Sequence, residues 1–257
     1  MKKALAIISF GTAYKTGMRA ICHMEEYMRN EWKEYDCFHA FTSEKVRKKL
    51  KEQKGIYIPT TNELLQELYE NGYEEVICQP TYLMYGVEFE KIMAQVSLWK
   101  GKFSSLKLGN PILFEEEDYE KCLALYQKEI SLKETEALVL VGHGSKTQDN
   151  RVYAHLDRIL KEKGEERIYI GTLNGILPFE EIKEELKKKN YKKIWITPFM
   201  IVVGSHVYRD MIGTREQSWE RRLKMEGYEV EVYAKGLGEY TEVARILASH
   251  IRKAREV

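Results

Sequence analysis

The sequence predicts an α/β protein made of two similar lobes, each a doubly wound parallel sheet, with a cleft between them. Apolar runs of strand length alternate with helical patterns along the whole chain, which is typical of parallel strands joined by crossover helices. The second half repeats the order of these segments in the first half. With 257 residues, 44% of them hydrophobic, the chain is long enough for two closely packed lobes.

The first lobe is predicted to span residues 1–132. The apolar run "KALAIIS" predicts its first strand, and a helix follows from Lys15 to Trp32. The run "EEVICQ" predicts a further strand, followed by a helix from Glu88 to Lys100. The charged stretch from Ser131 to Thr135 marks the predicted boundary between the lobes.

The second lobe is predicted to span residues 133–257. Its predicted strands are "EALVLVG", "RIYIGTL", "KKIWITPFM" and "YEVEVYA". Its predicted helices run from Asn150 to Lys163 and from Phe179 to Lys189. A closing helix, Tyr240 to Arg255, is a candidate to pack back on the first lobe.

An internal repeat supports the two-lobe prediction. Ser9-Phe10-Gly11-Thr12 aligns with Gly142-His143-Gly144-Ser145, and Gly86-Val87-Glu88 aligns with Gly204-Ser205-His206. The first pair of motifs is separated by 78 residues, from Phe10 to Glu88, and the second pair by 63, from His143 to His206. The first half therefore holds an insertion of 15 residues, which we place in "KKLKEQKGIYIPT".

Composition and charge exclude several classes of function. Lys and Arg total 41 against 40 Asp and Glu, and no window concentrates basic residues as a phosphate backbone requires, so no nucleic-acid partner is predicted. There is no run of eighteen apolar residues and no cleavage site after the first apolar run, so we expect a cytoplasmic protein without a membrane span. The four scattered cysteines are predicted to be reduced packing residues.

The repeat places candidate functional residues at matching ends of predicted strands, where open α/β sheets bind ligands. Glu88 lies in the first half, and His143 and His206 lie in the second. Two imidazoles and a carboxylate suit a divalent first-row metal, and three protein ligands leave positions open for substrate or water. The sequence therefore predicts a metal site formed by these three residues.

Each candidate also has a structural alternative. A solvated loop position between two glycines is the alternative for His143, and a helix-start position hydrogen-bonded to the preceding turn is the alternative for His206. Glu88 is favoured in the first turn of a helix by the helix dipole, whatever its function. The turns "SFGT" and "GHGS" also suit a small anion, although they lack the spacing of nucleotide-binding motifs.

Several motifs in chain order resemble those of the anaerobic, single-subunit cobalt chelatases, the sirohydrochlorin cobaltochelatases of cobalamin biosynthesis. The motifs are "SFGTAY", "AFTSEKVRKKL", "GVEFEKI", "GHGS", "VVGSHVYRDM", "SWERRL" and "GLGE". The resemblance covers nearly the whole chain. It implies the two-lobed chelatase fold shared with ferrochelatase, with a tetrapyrrole held between duplicated halves and with Glu88, His143 and His206 as the metal ligands and catalytic residues.

The resemblance also implies a reaction: ATP-independent insertion of Co²⁺, a substrate metal, into sirohydrochlorin, with neither a nucleotide nor an organic cofactor. His143 is favoured as the proton acceptor. The aromatic residues expected to flank the macrocycle are Phe10, Tyr14, Tyr82 and Tyr85. Sirohydrochlorin carries eight carboxylates, and the basic residues expected to meet them are Lys15, Arg19, Arg47, Lys146 and Arg209.

The chain departs from the family pattern at three positions, which keep alternative functions open. Tyr82 stands where the family usually has a histidine, Asn174 where glutamate is common, and Ser205 where an acidic residue is common. One alternative is a non-catalytic tetrapyrrole or metal carrier on the same fold. Another is a chelatase for Fe²⁺ or Ni²⁺, and a third is an unrelated α/β protein that binds a small anion.

Overall fold

The computed structural model describes residues 1–145 and 150–257. The chain divides into two compact units: the first comprises Met1–Asp118 with Gly238–Val257, and the second comprises Tyr119–Leu237. The division therefore falls earlier than the predicted boundary after residue 132. The chain returns to the first unit at its end, so the closing helix belongs to that unit.

The first unit is built on a five-stranded sheet of order β2-β1-β3-β4-β9, parallel except for β9. Its strands are β1 (Lys2–Ser9), β2 (Asp36–Phe41), β3 (Tyr73–Pro80), β4 (Ser105–Leu108) and β9 (Arg255–Glu256). Its helices are α1 (Lys15–Glu31), α2 (Glu44–Lys54), α3 (Thr61–Glu70), α4 (Val87–Ser97) and α9 (Thr241–Arg252). The division between the units falls within α5 (Glu116–Glu129).

The second unit is built on a four-stranded parallel sheet of order β6-β5-β7-β8. Its strands are β5 (Glu136–Gly144), β6 (Ile168–Asn174), β7 (Lys193–Pro198) and β8 (Glu229–Val232). Its helices are α6 (Arg151–Glu162), α7 (Phe179–Lys187), a π-helix (Val207–Met211) and α8 (Trp219–Met225), and a 3₁₀ helix (Leu237–Glu239) follows. The central strand β5 is buried from Ala137 to Val141, as expected for a parallel strand covered on both faces.

The four parallel strands of the first sheet have the same order as the four strands of the second sheet, which supports the predicted repeat. In the first unit Thr81 N donates to Ile8 O over 2.8 Å, and in the second Phe199 N donates to Val141 O over the same distance. These bonds make β1 equivalent to β5 and β3 equivalent to β7. Phe10 therefore corresponds to His143, as the sequence alignment predicts. Glu88 follows the last residue of β3, and His206 follows the last residue of β7, by the same eight residues.

The extra residues of the first half form α2. In the first unit α2 and α3 both lie between β2 and β3, whereas α7 alone lies between β6 and β7, where every residue is described. The helix begins at Ser43, whose hydroxyl accepts from Val46 N, and ends at Gly55 with a left-handed φ of 65°. The predicted insertion is therefore a separate helix with its own caps, beginning a few residues before the predicted segment.

Most predicted elements occur within a few residues of their predicted ends, with two differences. The apolar run from Ile194 to Val203, which includes most of the predicted strand "KKIWITPFM", forms a strand only as far as Pro198. The last residue pair between β7 and β5 is Pro198 with Val141. The closing helix ends at Arg252, and Arg255–Glu256 instead pair antiparallel with β4. A strand of two residues has no hydrophobic periodicity that could predict it, and β9 forms by pairing with the edge strand β4.

Two further expectations concern the cysteines and membrane spans. All four cysteines are free thiols, but only Cys78 and Cys122 are buried, and Cys22 is exposed. The packing role predicted for all four is therefore wrong for Cys22. Among the helices in the described ranges, none combines the length and the apolar character needed to cross a bilayer.

Candidate metal site

His143 lies at the carboxyl end of the central strand of the second unit. It is flanked by Gly142 and Gly144, and at both positions neighbouring atoms leave no room for a side chain. A Cβ on Gly142 would lie 2.1 Å from Tyr153 Cε1, and a Cβ on Gly144 would lie 1.8 Å from Asn174 O. Tyr153 is itself buried, and its hydroxyl accepts a hydrogen bond from Gly144 N over 3.4 Å. The "GHGS" sequence thus exposes one side chain, the imidazole, at a tightly packed strand end.

His206 lies beside His143 at the start of the π-helix. The two ring centroids are 4.5 Å apart, with the rings nearly perpendicular at 89°. Ile212 N donates to Val207 O over 2.9 Å, the wider hydrogen bond that defines a π-turn. Such turns occur frequently at functional sites because they shift the side chains of a helix. The structure thus brings together two of the three predicted ligands.

Hydrogen bonds set which nitrogen of His143 is available to a metal. His143 Nδ1 lies 2.9 Å from Gly144 O, which can only accept, so Nδ1 carries the proton and Nε2 keeps its lone pair. His206 Nδ1 lies 3.0 Å from Asp210 Oδ2, which can only accept, and 3.2 Å from Arg209 Nη2, which can only donate, so Nδ1 of His206 has a partner in either tautomer. His143 can therefore present Nε2 as a ligand without changing tautomer.

The pKa of His143 favours this neutral form. Desolvation by the surrounding protein lowers the pKa of His143, the hydrogen bond to Gly144 opposes that shift, and the nearby His206 lowers it again. Because the neutral imidazole is the form that binds metals, protons compete less for this ring near neutral pH than for an ordinary histidine.

Asp210 is a site residue that the sequence reasoning missed. It follows His206 by four residues, and the carboxylate orients the imidazole as in carboxylate–histidine–metal arrangements. Arg209 Nη2 donates to Asp210 Oδ2 over 2.8 Å, and this bond is the main cause that holds the pKa of Asp210 below its ordinary value. The available signal was the H-x-x-x-D spacing at a predicted helix start.

Removing the Asp210 carboxylate should weaken metal binding without removing a ligand. We expect Asp210→Ala to lower Co²⁺ affinity by about 10–100-fold, because His206 loses the carboxylate that orients its ring. Calorimetric titration with Co²⁺ measures this change. The matched control is Asp157→Ala, which removes the carboxylate of an ion pair with Lys161 on α6. Equal losses in both variants would contradict a specific role for Asp210.

Glu88 belongs to the first unit, in the first turn of α4, where it forms an ion pair of 2.6 Å with Lys91. Its role as the third ligand stays a prediction. Within residues 1–145 and 150–257, no three histidine, cysteine, aspartate or glutamate side chains are close enough together to hold a metal ion. The two imidazoles are thus the part of the predicted site whose geometry is described.

The four aromatic residues predicted to flank a macrocycle differ in exposure. Phe10 is 49% exposed, Tyr85 43% and Tyr14 39%. Tyr82 instead packs against the core of the first unit, and its hydroxyl lies 2.5 Å from Thr42 Oγ1. Phe10, Tyr85 and Tyr14 are therefore exposed, and Phe10 and Tyr14 follow the end of β1.

A cavity of about 450 Å³ opens beside His206 in the second unit. Its polar wall includes Asn174, Arg209 and Asp210, and Phe179 and Trp219 form part of its apolar wall. Asn174 Nδ2 also donates to His143 O over 3.3 Å, so this departure from the family pattern supports the strand end that carries the ligand. His206 thus lines this cavity, and its side chain is partly exposed.

Comparison with known proteins identifies the family. The sequence model described as Cobalt chelatase (CbiK) matches residues 3–256. The chain belongs to this cobalt chelatase family. It is 32% identical over 256 residues to the sirohydrochlorin cobaltochelatase of Salmonella typhimurium, covering 99% of this chain and 97% of that protein. It is 26% identical over 257 residues to the sirohydrochlorin cobaltochelatase CbiKC of Nitratidesulfovibrio vulgaris, covering 98% of this chain and 90% of that protein.

A solved structure supports the fold of this cobalt chelatase. SirB from Bacillus subtilis, solved with Fe³⁺, aligns with a TM-score of 0.68 at 17% identity, covering 98% of this chain and 95% of that chain. At this identity the likeness shows the fold. The predicted α/β fold of the chelatase type, with parallel sheets, is confirmed.

Proposed function

We propose that this chain inserts Co²⁺ into sirohydrochlorin, the reaction that its two curated relatives are named for. One structural observation supports the proposal most directly. His143 and His206 lie with their rings 4.5 Å apart at the carboxyl end of a parallel sheet, and His143 keeps Nε2 unprotonated. A paired imidazole site of this kind suits a first-row divalent ion that is to be bound and then released.

In the proposed mechanism the two imidazoles replace part of the water shell of the incoming ion. Glu88 is proposed as the third ligand on the basis of its motif and of its position after β3, which matches that of His206 after β7. Neutral nitrogen ligands and one carboxylate leave part of the positive charge of the ion uncompensated. The macrocycle then becomes a stronger ligand than the protein once its two pyrrole N–H groups are deprotonated.

Insertion releases two protons for each divalent ion, so a base is required. We assign this role to His143, whose lowered pKa keeps it neutral near pH 7. It accepts one proton at a time and passes it to water before it accepts the second. A coordinated Nε2 cannot accept a proton at the same time, so His143 must act after the ion has moved toward the macrocycle. His206 remains bound to the ion during this step, held by Asp210.

The proposal requires no nucleotide, because ligand exchange and proton loss are both favourable once the metal enters the macrocycle. The chain contains neither of the common glycine-rich phosphate-binding spacings. An assay without ATP tests this part of the proposal.

Anaerobic absorbance of the purified protein with sirohydrochlorin and Co²⁺ tests the function as a whole. We expect catalytic spectral conversion above the non-enzymatic rate, and parallel assays with Ni²⁺ and Fe²⁺ rank the metals. Tight binding without turnover would instead support a carrier, and conversion that is faster with Fe²⁺ or Ni²⁺ than with Co²⁺ would contradict the assignment of cobalt.

A further inference from the structure

The inserted helix α2 contributes little to the core of the first unit. Leu50 is its only buried residue. The helix has its own caps at Ser43 and Gly55, so its boundaries are set locally. The second unit completes an equivalent four-strand order with no such helix. Packing therefore does not explain why one repeat carries it.

The charge of α2 differs from that of the rest of the chain. It carries six basic residues against Glu44 and Glu52, a net charge of +4, whereas the whole chain has a formal net charge of +1. The basic residues are Lys45, Arg47, Lys48, Lys49, Lys51 and Lys54. A concentration of this size on one short helix creates a local positive potential.

Most of this charge is not neutralised by carboxylates of the described residues. Arg47 lies 3.7 Å from Glu63, and Lys48 lies 3.9 Å from Glu52, both at the long end of ion-pair distances. In the part of the chain that the structure describes, the other four lysines of α2 have no carboxylate within 4.0 Å.

A second lysine-rich segment shows the contrast. Lys187, Lys188 and Lys189, at the end of α7, pair with Glu226, Glu185 and Glu166 at 2.8, 2.5 and 2.8 Å. These lysines have carboxylate partners inside their own unit. Lys45, Lys49, Lys51 and Lys54 of α2 instead have no carboxylate partner among the described residues, which leaves their charge for an external anion.

α2 lies along the loop that follows β1. Ser43 N donates to Phe10 O over 3.2 Å, and Lys54 Nζ donates to Ala13 O over 3.3 Å, so both ends of the helix contact this loop. Between them, Lys49 Nζ lies 5.4 Å from the centre of the Tyr14 ring. The exposed rings of Phe10 and Tyr14 thus lie beside the unneutralised lysines, at the carboxyl ends of β1 and β2.

We propose that α2 and the loop 10–14 form a recognition surface for a polycarboxylate tetrapyrrole, in which Phe10 and Tyr14 contact the flat ring and the α2 lysines bind its peripheral carboxylates. This inference rests on the proposed function and names the substrate class that the first unit selects. A flat apolar ring with an anionic rim matches exposed aromatic rings bordered by cations. The predicted carboxylate partner Arg47 belongs to this surface, whereas Lys146 lies outside the described residues.

The surface should favour macrocycles with many carboxylates. Each additional carboxylate on the macrocycle is attracted by the positive potential of α2. A macrocycle with only two carboxylates therefore gains little binding free energy from this surface. The interaction involves exposed charges, so it should weaken as salt screens them. The α2 lysines are thus specificity-determining residues rather than catalytic ones.

The test neutralises one face of α2 in the full-length protein. Lys45, Lys48 and Lys49 lie at i, i+3 and i+4, and replacement of all three by Gln keeps a good helix former at each position. We expect KM for sirohydrochlorin to rise roughly tenfold at low salt, from three lost exposed charge contacts. We also expect kcat to stay within about twofold and the salt dependence of KM to become shallower.

Two controls make the result specific. The triple variant Lys187→Gln, Lys188→Gln, Lys189→Gln removes the same charge from the paired segment of α7 and should leave KM and its salt dependence unchanged. Sirohydrochlorin octamethyl ester should bind equally to the wild type and to the α2 variant, because it has the ring without the charges. Circular dichroism verifies that each variant is folded.

The outcomes separate this inference from the proposed function. If the wild type neither binds nor converts sirohydrochlorin, the proposed function fails, and the inference fails with it. If the wild type turns over normally and the folded α2 variant has the KM and salt dependence of the wild type, the inference alone is overturned. An equal rise in KM in the α7 control would also overturn it.

Discussion

His206→Ala and His143→Ala are each expected to lower the rate of Co²⁺ insertion by more than about 100-fold. Removal of a residue that only hydrogen-bonds a metal ligand already costs about 10–100-fold, and removal of a ligand itself should cost more. Each variant removes one of two imidazoles whose rings are 4.5 Å apart, leaving too few nitrogen ligands to displace water from the ion. His143→Ala also removes the proposed proton acceptor. Anaerobic absorbance gives the rate, and calorimetric titration gives Co²⁺ affinity.

His155→Ala is the matched control for this prediction. His155 lies on α6, where its ring packs 4.7 Å from that of Tyr119 and its Nδ1 lies 2.6 Å from Arg158 Nη2. Its loss removes an imidazole from the same unit without touching the His143–His206 pair. The rate should stay within about twofold of wild type. If the control were as damaging as His206→Ala, with both proteins folded, the site would be misplaced.

Gly144→Ala is expected to destabilise the protein by about 2–5 kcal/mol. The position has a left-handed φ of 62°, which costs an L residue about 1–2 kcal/mol. The added Cβ would also lie 1.8 Å from Asn174 O, where backbone must move, adding about 1–3 kcal/mol. Thermal unfolding should show a fall in Tm of roughly 10 °C for a chain of this size.

Gly164→Ala separates the two causes of this loss. Gly164 has nearly the same φ, 68°, but nothing lies within 4 Å of its added Cβ. Only the cost of the left-handed backbone applies, so we expect about 1 kcal/mol. Equal destabilisation of the two variants would show that the close approach of β5 and β6 at His143 does not matter for stability.

The alignment of the two halves predicted much of the fold. Parallel strands require crossover helices, so alternating apolar and amphipathic segments restrict the topology strongly. The equivalence of Phe10 with His143 follows from local sequence, because each residue lies at the carboxyl end of a buried strand. The predicted pairing of His143 with His206 depended on the repeat, since His143 lies at the end of β5 and His206 follows the neighbouring parallel strand β7.

The parts of the site that sequence did not predict depend on exact backbone geometry. Asp210 meets His206 because the chain turns as a helix there, and a π-turn has no reliable sequence signal. In the same way, the distances that place Lys49 over Tyr14 depend on how α2 packs on a loop. The sequence shows six basic residues in this segment, but not which of them lack carboxylate partners.

The sequence by itself determined that this protein has two repeated α/β halves, with a histidine at the end of β5 and another after β7. These features depend on periodicity and on residue type, which are local properties of the chain. Only the tertiary structure decided which nitrogen of His143 is available, which carboxylate orients His206 and which lysines of α2 lack a carboxylate partner among the described residues. Those features depend on backbone geometry and on side-chain contacts at distances of a few ångströms, which no periodic pattern encodes.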